Sequence, residues 1–309
     1  MLDVCVIGHV TKDITRINNR GKELPGGTAY YFSMALKNLG LNVAVVTKIG
    51  YNDSYLLDDL NKNNIPVFLK MNPRTTMFEN SYTENSNHRV QKLKSIASPF
   101  AIEDVPDVSP SIFHIGPLTK GDIPLDLLIS LSTRFRTSLD VQGFLRTEVG
   151  GCVKLTDWRE KGRALSNIEI IKADETEAKI LSGQENIEKA AKTLSEFGPK
   201  EVIITLGSKG SVIYAGKSFY RIPSYPQERI IDPTGCGDTY MAGYIYRRLK
   251  TIGPFLDFHE IGKFSAAVAS LKLKRHGPFQ GSRDDVESLL VKGEKKEFLF
   301  GQRPVKIRP

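Results

Sequence analysis

The sequence predicts an α/β fold in which a mostly parallel sheet is covered by helices on both faces. Two observations predict it. Short β-branched runs alternate along the chain with longer runs whose apolar residues recur at helical spacing, the pattern of successive βαβ units. The 309 residues, 40% hydrophobic and 25% charged, are enough for one large domain or two ordinary ones and have the balance of a folded soluble chain.

The elements follow in order. "DVCVIG" is a first strand, because an acid at position 3 and a short β-branched run do not make a signal peptide. "TAYYFSMALKNLG" has the period of a helix that stops at Gly40, "VAVVTKIG" is a strand, and "SYLLDDLNKNN" is a helix. From about residue 66 to 98 the rhythm breaks. Apolar and polar residues alternate there at period two around the turn "TENSN", which predicts an antiparallel flap, either an edge hairpin or, by preference, a lid over a substrate. The alternation of strand and helix then resumes with "IFHIG", "PLDLLISLSTRF", "TSLDV", "IEIIKA", "TEAKILSG" followed by "NIEKAAKTLSEFG", and "EVIITLG". No repeat, low-complexity tract or linker divides the chain, so residues 1–309 read as a single domain. Ligands of such sheets sit at the carboxyl ends of the strands.

Composition narrows the function. Three cysteines far apart, with no CxxC pair or Cys/His cluster, fit a reducing cytoplasm and no zinc site. No apolar stretch approaches the roughly 20 residues that span a bilayer, so no membrane partner is expected. The net charge of +8 gathers in "YRRLK", "LKLKRHG" and the C-terminal tail without any nucleic-acid motif. Solvated basic faces, or attraction of an anionic small substrate, account for it better than a nucleic acid.

The chemistry concentrates in "IIDPTGCGDTYMAGY", residues 230–244. A Walker A loop is excluded, since the nearest candidate, "GSVIYAGKS", places its glycine one position early and alternates like a hairpin. A dinucleotide fingerprint is excluded by Tyr240 where the third glycine belongs. What remains is a short glycine nest opening a helix. Gly235, Cys236 and Gly237 can present successive amides to one anion, with the helix dipole behind them. Asp238 at its edge is either a helix cap or a base for a hydroxyl attacking a bound phosphoryl group.

"DPTGCGDTYMAGY" resembles the C-terminal signature of the ribokinase-like (PfkB) carbohydrate kinases. The resemblance implies Asp238 as catalytic base and the backbone of Gly235, Cys236 and Gly237 as anion hole, with Cys236 in place of the usual Ala and Pro233 in place of Thr. "PGGTAYYFSMALKNLGLNVAVVTKIGYND" is similar to the N-terminal signature, which implies that Gly26 and Gly27 close around the acceptor; the usual Asn is replaced near Tyr30 and Tyr31. Asp13 matches an acid that binds a substrate hydroxyl. "ADETEAKIL" resembles the element that organises Mg²⁺ through water, with Asp174 for the usual Asn and Glu177 for the Glu. "ITLGSKGSVIY" is similar to the turn along the donor phosphates, implying Thr205, Gly207, Lys209 and Gly210 there. Asp232 matches a monovalent-cation position, with K⁺ as the implied ion. The implied fold has three layers with a small antiparallel β lid, formed by about 66–98 with a contribution from about 10–26. ATP and Mg²⁺ are the implied cofactors, and the implied assembly is a monomer or a homodimer through the lid.

The acceptor is the thinner part of the reading. "TTMFENSY", "HRVQKL" and "DVQGFLR" resemble the branch that includes inositol kinases, which places Gln142 and Arg146 near the acceptor and Glu79, Arg89 and Gln91 on the lid. The expected activity is phosphorylation of a hydroxyl on a small sugar or cyclic polyol, inositol-like by preference. A nucleoside acceptor stays open, with Tyr30, Tyr31, Phe78 or Phe144 to stack a base, as does a non-catalytic metabolite-binding scaffold.

Overall fold

The computed structural model describes residues 1–17, 20–82, 89–251 and 256–300. The turn expected at 83–87 and the last nine residues of the basic tail lie outside them.

Strand β1 (Val4–Ile7) alternates strictly, with Val4 and Val6 in one core and Cys5 and Ile7 in the other. A strand buried on both faces divides its side chains in this way. The chain continues through β2 (Thr11–Ile17) and β3 (Arg20–Gly26), then α1 (Thr28–Asn38), β4 (Val43–Gly50), α2 (Asp58–Lys62) and β5 (Val67–Asn72). Next come β6 (Met77–Tyr82), β7 (Arg89–Ser95), β8 (Ile112–Ile115), α3 (Leu125–Arg134) and β9 (Thr137–Asp140). A short α4 (Gln142–Leu145) leads to the hairpin β10 (Arg146–Val149) and β11 (Cys152–Leu155). The remainder runs α5 (Lys161–Leu165), β12 (Ile170–Asp174), α6 (Glu175–Ser182), α7 (Ile187–Glu196) and β13 (Glu201–Thr205). It closes with the hairpin β14 (Ser211–Ala215) and β15 (Ser218–Ile222), then α8 (Cys236–Lys250), α9 (Phe258–Lys272) and α10 (Arg283–Phe300).

Nine strands form the central sheet in the order β15-β14-β13-β12-β9-β8-β1-β4-β5. The strands from β13 to β5 are parallel, and only the β14–β15 hairpin is antiparallel. That hairpin turns at Gly216 and Lys217, both at positive φ, which suits a two-residue turn and removes "GSVIYAGKS" from any phosphate loop. Helices α1, α8, α9 and α10 contribute Tyr30, Tyr244, Phe264 and Val286 to the core on one face. Helices α3, α5, α6 and α7 contribute Leu128, Leu165, Leu181 and Leu194 to the other. The result is the three-layer α/β architecture.

A second sheet has the order β10-β11-β7-β6-β2-β3 and is antiparallel except where β2 runs parallel to β6. Its make-up differs from the flap read over 66–98. Val67–Asn72 pairs in parallel with β4 as the edge of the main sheet, and a hairpin from 146–155 joins the small sheet instead. An edge strand is open to water on much of its surface, and Phe68, Leu69 and Met71 are indeed exposed, so its residue pattern does not say which sheet it borders. Among the described residues no helix is long and apolar enough to cross a membrane.

Candidate active site

The parallel strands end in a row of polar side chains. Asp140 closes β9, Lys172 and Asp174 lie at the end of β12, and Thr205 closes β13. The strand register sets Lys172 opposite Asp140 and Asp174 opposite Thr205. These ends face the start of α8.

Helix α8 begins in a wound turn. Asp232 Oδ1 accepts the Thr234 amide at 2.9 Å, and Gly235 takes the left-handed conformation at φ 74° as the N-cap. A Cβ at 235 would fall onto the Tyr31 ring, so this position requires glycine for both reasons. The amide of Cys236 closes the turn on the Pro233 carbonyl at 3.2 Å. Among the described residues the amides of Gly235 and Gly237 have no protein acceptor, so two of the three expected donors stand ready for an anion at the positive end of the helix. Cys236 is half-buried, its Sγ 3.7 Å from the Ala269 carbonyl, and this burial pushes its thiol up.

Asp238 sits in the first turn of α8, three residues past the N-cap Gly235. Burial, and then the charge of Asp140, push its carboxyl up to about 6, against Lys172, the Thr28 hydroxyl that donates to it, and Arg146. Thr28 is held in turn by the Gln142 amide, Nε2 to Oγ1 at 2.8 Å. Lys172 Nζ pairs with Asp140 Oδ2 at 2.5 Å, and a Cβ at Gly237 would lie 3.0 Å from the same ammonium. Burial works against the charge on Lys172, but Asp140, Glu177 and Asp238 outweigh it and keep the ammonium protonated. A fixed cation therefore lies beside the free amide of Gly237.

A cleft of about 380 Å³ opens from this point, lined by Gln142, Arg146, Lys172, Asp174, Glu177, Thr205, Gly207 and Gly237 among others. Asp174 and Glu177 form a reciprocal capping box at the start of α6, with both backbone-to-carboxylate bonds at 2.8 Å. Burial pushes Glu177 up to about 7. Each carboxylate keeps a second oxygen beyond its capping bond, which is enough for an ion that retains most of its waters. Lys209 does not line the cleft. It is exposed and turns to Glu175, 3.6 Å away, and Gly210 at φ 91° packs against the Ile222 carbonyl as a turn residue.

On the side of the second sheet, Asp13 in β2 is buried, accepts the Thr11 hydroxyl at 2.7 Å, and lies where a Cβ on Gly26 would fall. Gly27, at φ 87°, packs on the His9 carbonyl and starts α1. Asp13, Asp232 and Asp238 all act on the Tyr31 phenol, whose ionisation is suppressed first by burial and then by their charges. On the same small sheet Gln91 donates to Asn80 at 3.2 Å, and Glu79 lies 3.8 Å from Lys94. The Arg89 side chain lies outside the described residues. Of the aromatic rings read as base platforms, Tyr31 lies at the site and the other three are committed elsewhere. Tyr30 donates to Asp59 at 2.6 Å, Phe144 stacks on Trp158 at 3.9 Å, and Phe78 is buried.

Residues 121–284 match the model of the pfkB family of carbohydrate kinases. The chain belongs to this family. A cytidine kinase of Thermococcus kodakarensis is 30% identical over 252 residues, covering 79% of this chain and 88% of that protein. An inositol 3-kinase of Arabidopsis thaliana is 26% identical over 253 residues, covering 78% of this chain and 67% of that protein. A solved pyrophosphate-dependent kinase of the ribokinase family, complexed with a pyrophosphate analog and myo-inositol, superposes with a TM-score of 0.81 at 30% identity, covering 92% of this chain and 99% of that one. As a pfkB-family member the chain is a phosphotransferase with an alcohol group as acceptor, and its ribokinase-like fold carries a separate lid sheet.

Within this pfkB-family kinase the sequence reading named Asp238, Gly235, Gly237, Gln142 and Arg146, which the fold brings together. It missed Thr28, Asp140 and Lys172. A signal was present for the last two. Asp140 ends the buried strand "TSLD" and Lys172 interrupts the apolar run "IIKA", and two buried charges of opposite sign invite pairing across neighbouring strands.

Proposed function

We propose that this kinase moves the terminal phosphoryl group of its donor to a hydroxyl of a small cyclic polyol, an inositol by preference. One observation carries the reading. Asp238 stands between the free amides at the mouth of α8 and a wall of hydrogen-bonding side chains, Thr28, Gln142 and Asp13, and the aromatic ring beside it, Tyr31, is buried against Gly235. Polyol recognition needs paired polar groups at fixed angles, and a nucleoside would need a face to stack on. The family relative solved with myo-inositol supports the same choice.

In this reading Asp238 takes the proton of the attacking hydroxyl. A carboxyl near pKa 6 is ionised at neutral pH yet basic enough to accept that proton. The amides of Gly235 and Gly237 and the ammonium of Lys172 face the charge on the transferred group. Thr28 and Gln142 hold Asp238 in place, and Arg146 lines the donor side. Asp174 and Glu177 would hold Mg²⁺ through water, where it neutralises donor oxygens when bound.

The donor admits a second reading. ATP is the expectation of the family resemblance. The cleft next to Gly237, however, carries Arg146 and Lys172 and has no aromatic lining residue, which favours a compact polyanion such as the pyrophosphate used by the solved relative.

A product-release screen crosses ATP and pyrophosphate with inositols, pentoses, hexoses and nucleosides. Turnover is expected to be fastest with an inositol. A nucleoside with the highest kcat/KM would overturn the polyol reading, and ATP turnover far above that with pyrophosphate would overturn the second donor reading.

A further inference from the structure

We propose that the ammonium of Lys272 is a built-in cation standing in for a monovalent metal ion behind the anion hole, so that this kinase needs neither K⁺ nor Na⁺. The inference rests on phosphoryl transfer at the mouth of α8 and on no particular acceptor.

The starting point is the expectation that Asp232 binds a monovalent cation. The residues present do not fit one. Lys272 Nζ donates to the Asp232 main-chain oxygen at 2.7 Å and lies 3.4 Å from its Oδ2, with the lysine side chain fully buried. The rest of the carboxylate is taken by amides, Thr234 at 2.9 Å on Oδ1 and Gly277 at 3.2 Å on Oδ2. The two oxygens that Asp232 would offer a metal ion therefore already face a positive charge, and a second cation beside them would be repelled.

A buried lysine is costly unless the fold compensates it. Here it is the last residue of α9, where carbonyl groups at the helix end favour a cation. Its ammonium also lies 5.7 Å from the centroid of the Tyr31 ring, the ring on which Gly235 rests. One charge thus holds both ends of the turn, Asp232 at its start and, through Tyr31, Gly235 at its end. Lys272 is a positioning residue. It fixes the aim of the Gly235 and Gly237 amides and adds positive potential behind them.

The test compares KCl with tetramethylammonium chloride at equal ionic strength, in wild type and in Lys272→Met, using the donor and acceptor found by the screen. Wild-type turnover and melting temperature are expected to be the same in both salts. Lys272→Met is expected to lose about a hundredfold in kcat, the scale of a misplaced reacting group, and to recover about tenfold or more in K⁺ or NH₄⁺. Its melting temperature should rise in KCl alone, because the emptied position binds the ion only in the folded state. That melting readout needs no donor or acceptor, so it stands even if the polyol reading falls. Activation of wild type several-fold by K⁺ overturns the proposal. So does a Lys272→Met enzyme with full turnover in tetramethylammonium, or one that melts like wild type and stays inactive in every cation. Should Lys272→Met not fold, Lys272→Gln, which keeps a donor without the charge, takes its place under the same criteria.

Discussion

Asp238→Asn separates the chemistry of this site from its cost to the fold. The amide keeps the size of the carboxylate and can still accept the Thr28 hydroxyl bond, but it cannot take a proton. With the base gone, kcat is expected to fall by roughly 10²–10⁴, with a smaller change in KM. Stability moves the other way. Asp238 is raised from 3.8 to about 6, so the folded state holds the proton more tightly than the unfolded chain and ionisation opposes folding. The sign follows: the penalty is absent below the unfolded pKa, grows through the interval, and is complete above the folded one. About two units at roughly 1.4 kcal/mol each set an upper figure of about 3 kcal/mol, and the partial exposure of the carboxyl reduces it to about 1–2. The Asn variant should therefore melt several degrees above wild type at pH 7.5 and together with it near pH 4. Wild-type kcat should fall about tenfold per pH unit below the acid limb near 6, and the variant should lack that limb. Turnover within about tenfold of wild type would refute the base role, and a lower melting temperature at pH 7.5 would refute the electrostatic account.

Two further substitutions test the supports. Lys172→Met strands the fully buried Asp140 and should cost about 3–5 kcal/mol in urea unfolding, with much of the loss recovered in Lys172→Met/Asp140→Asn; an unchanged midpoint in the single variant contradicts a working buried pair. Gly235→Ala forces a Cβ onto Tyr31 at φ 74°, so donor affinity in calorimetry and melting temperature should both drop; if neither moves, the ring does not constrain the nest.

The parts legible in the sequence were those written in contiguous residues. The Gly-Cys-Gly-Asp turn and the helix after it depend on neighbours in the chain, and the six strands read from β-branched runs depend on period and length alone. What stayed hidden depends on pairing across distance. Lys172 and Asp140 are 32 residues apart, and Lys272 and Asp232 are 40 apart; each pair exists because adjacent strands or a helix end and a loop meet in space. The Val67–Asn72 strand was misjudged for a related reason, since which sheet an edge strand joins is decided by its neighbour and not by its own alternation. The spacing of Asp174 and Glu177 that resembles a metal site is also that of a capping box, and the fold forms the capping box.

Tyr31 sets a limit on how this enzyme can change. Its ring is the seat of Gly235 and faces Lys272, while its phenol lies within the fields of Asp13 and Asp238. One side chain thus joins the side proposed for the acceptor to the turn that shapes the donor end. A route to new acceptors that passes through position 31 would disturb phosphoryl transfer to every acceptor alike.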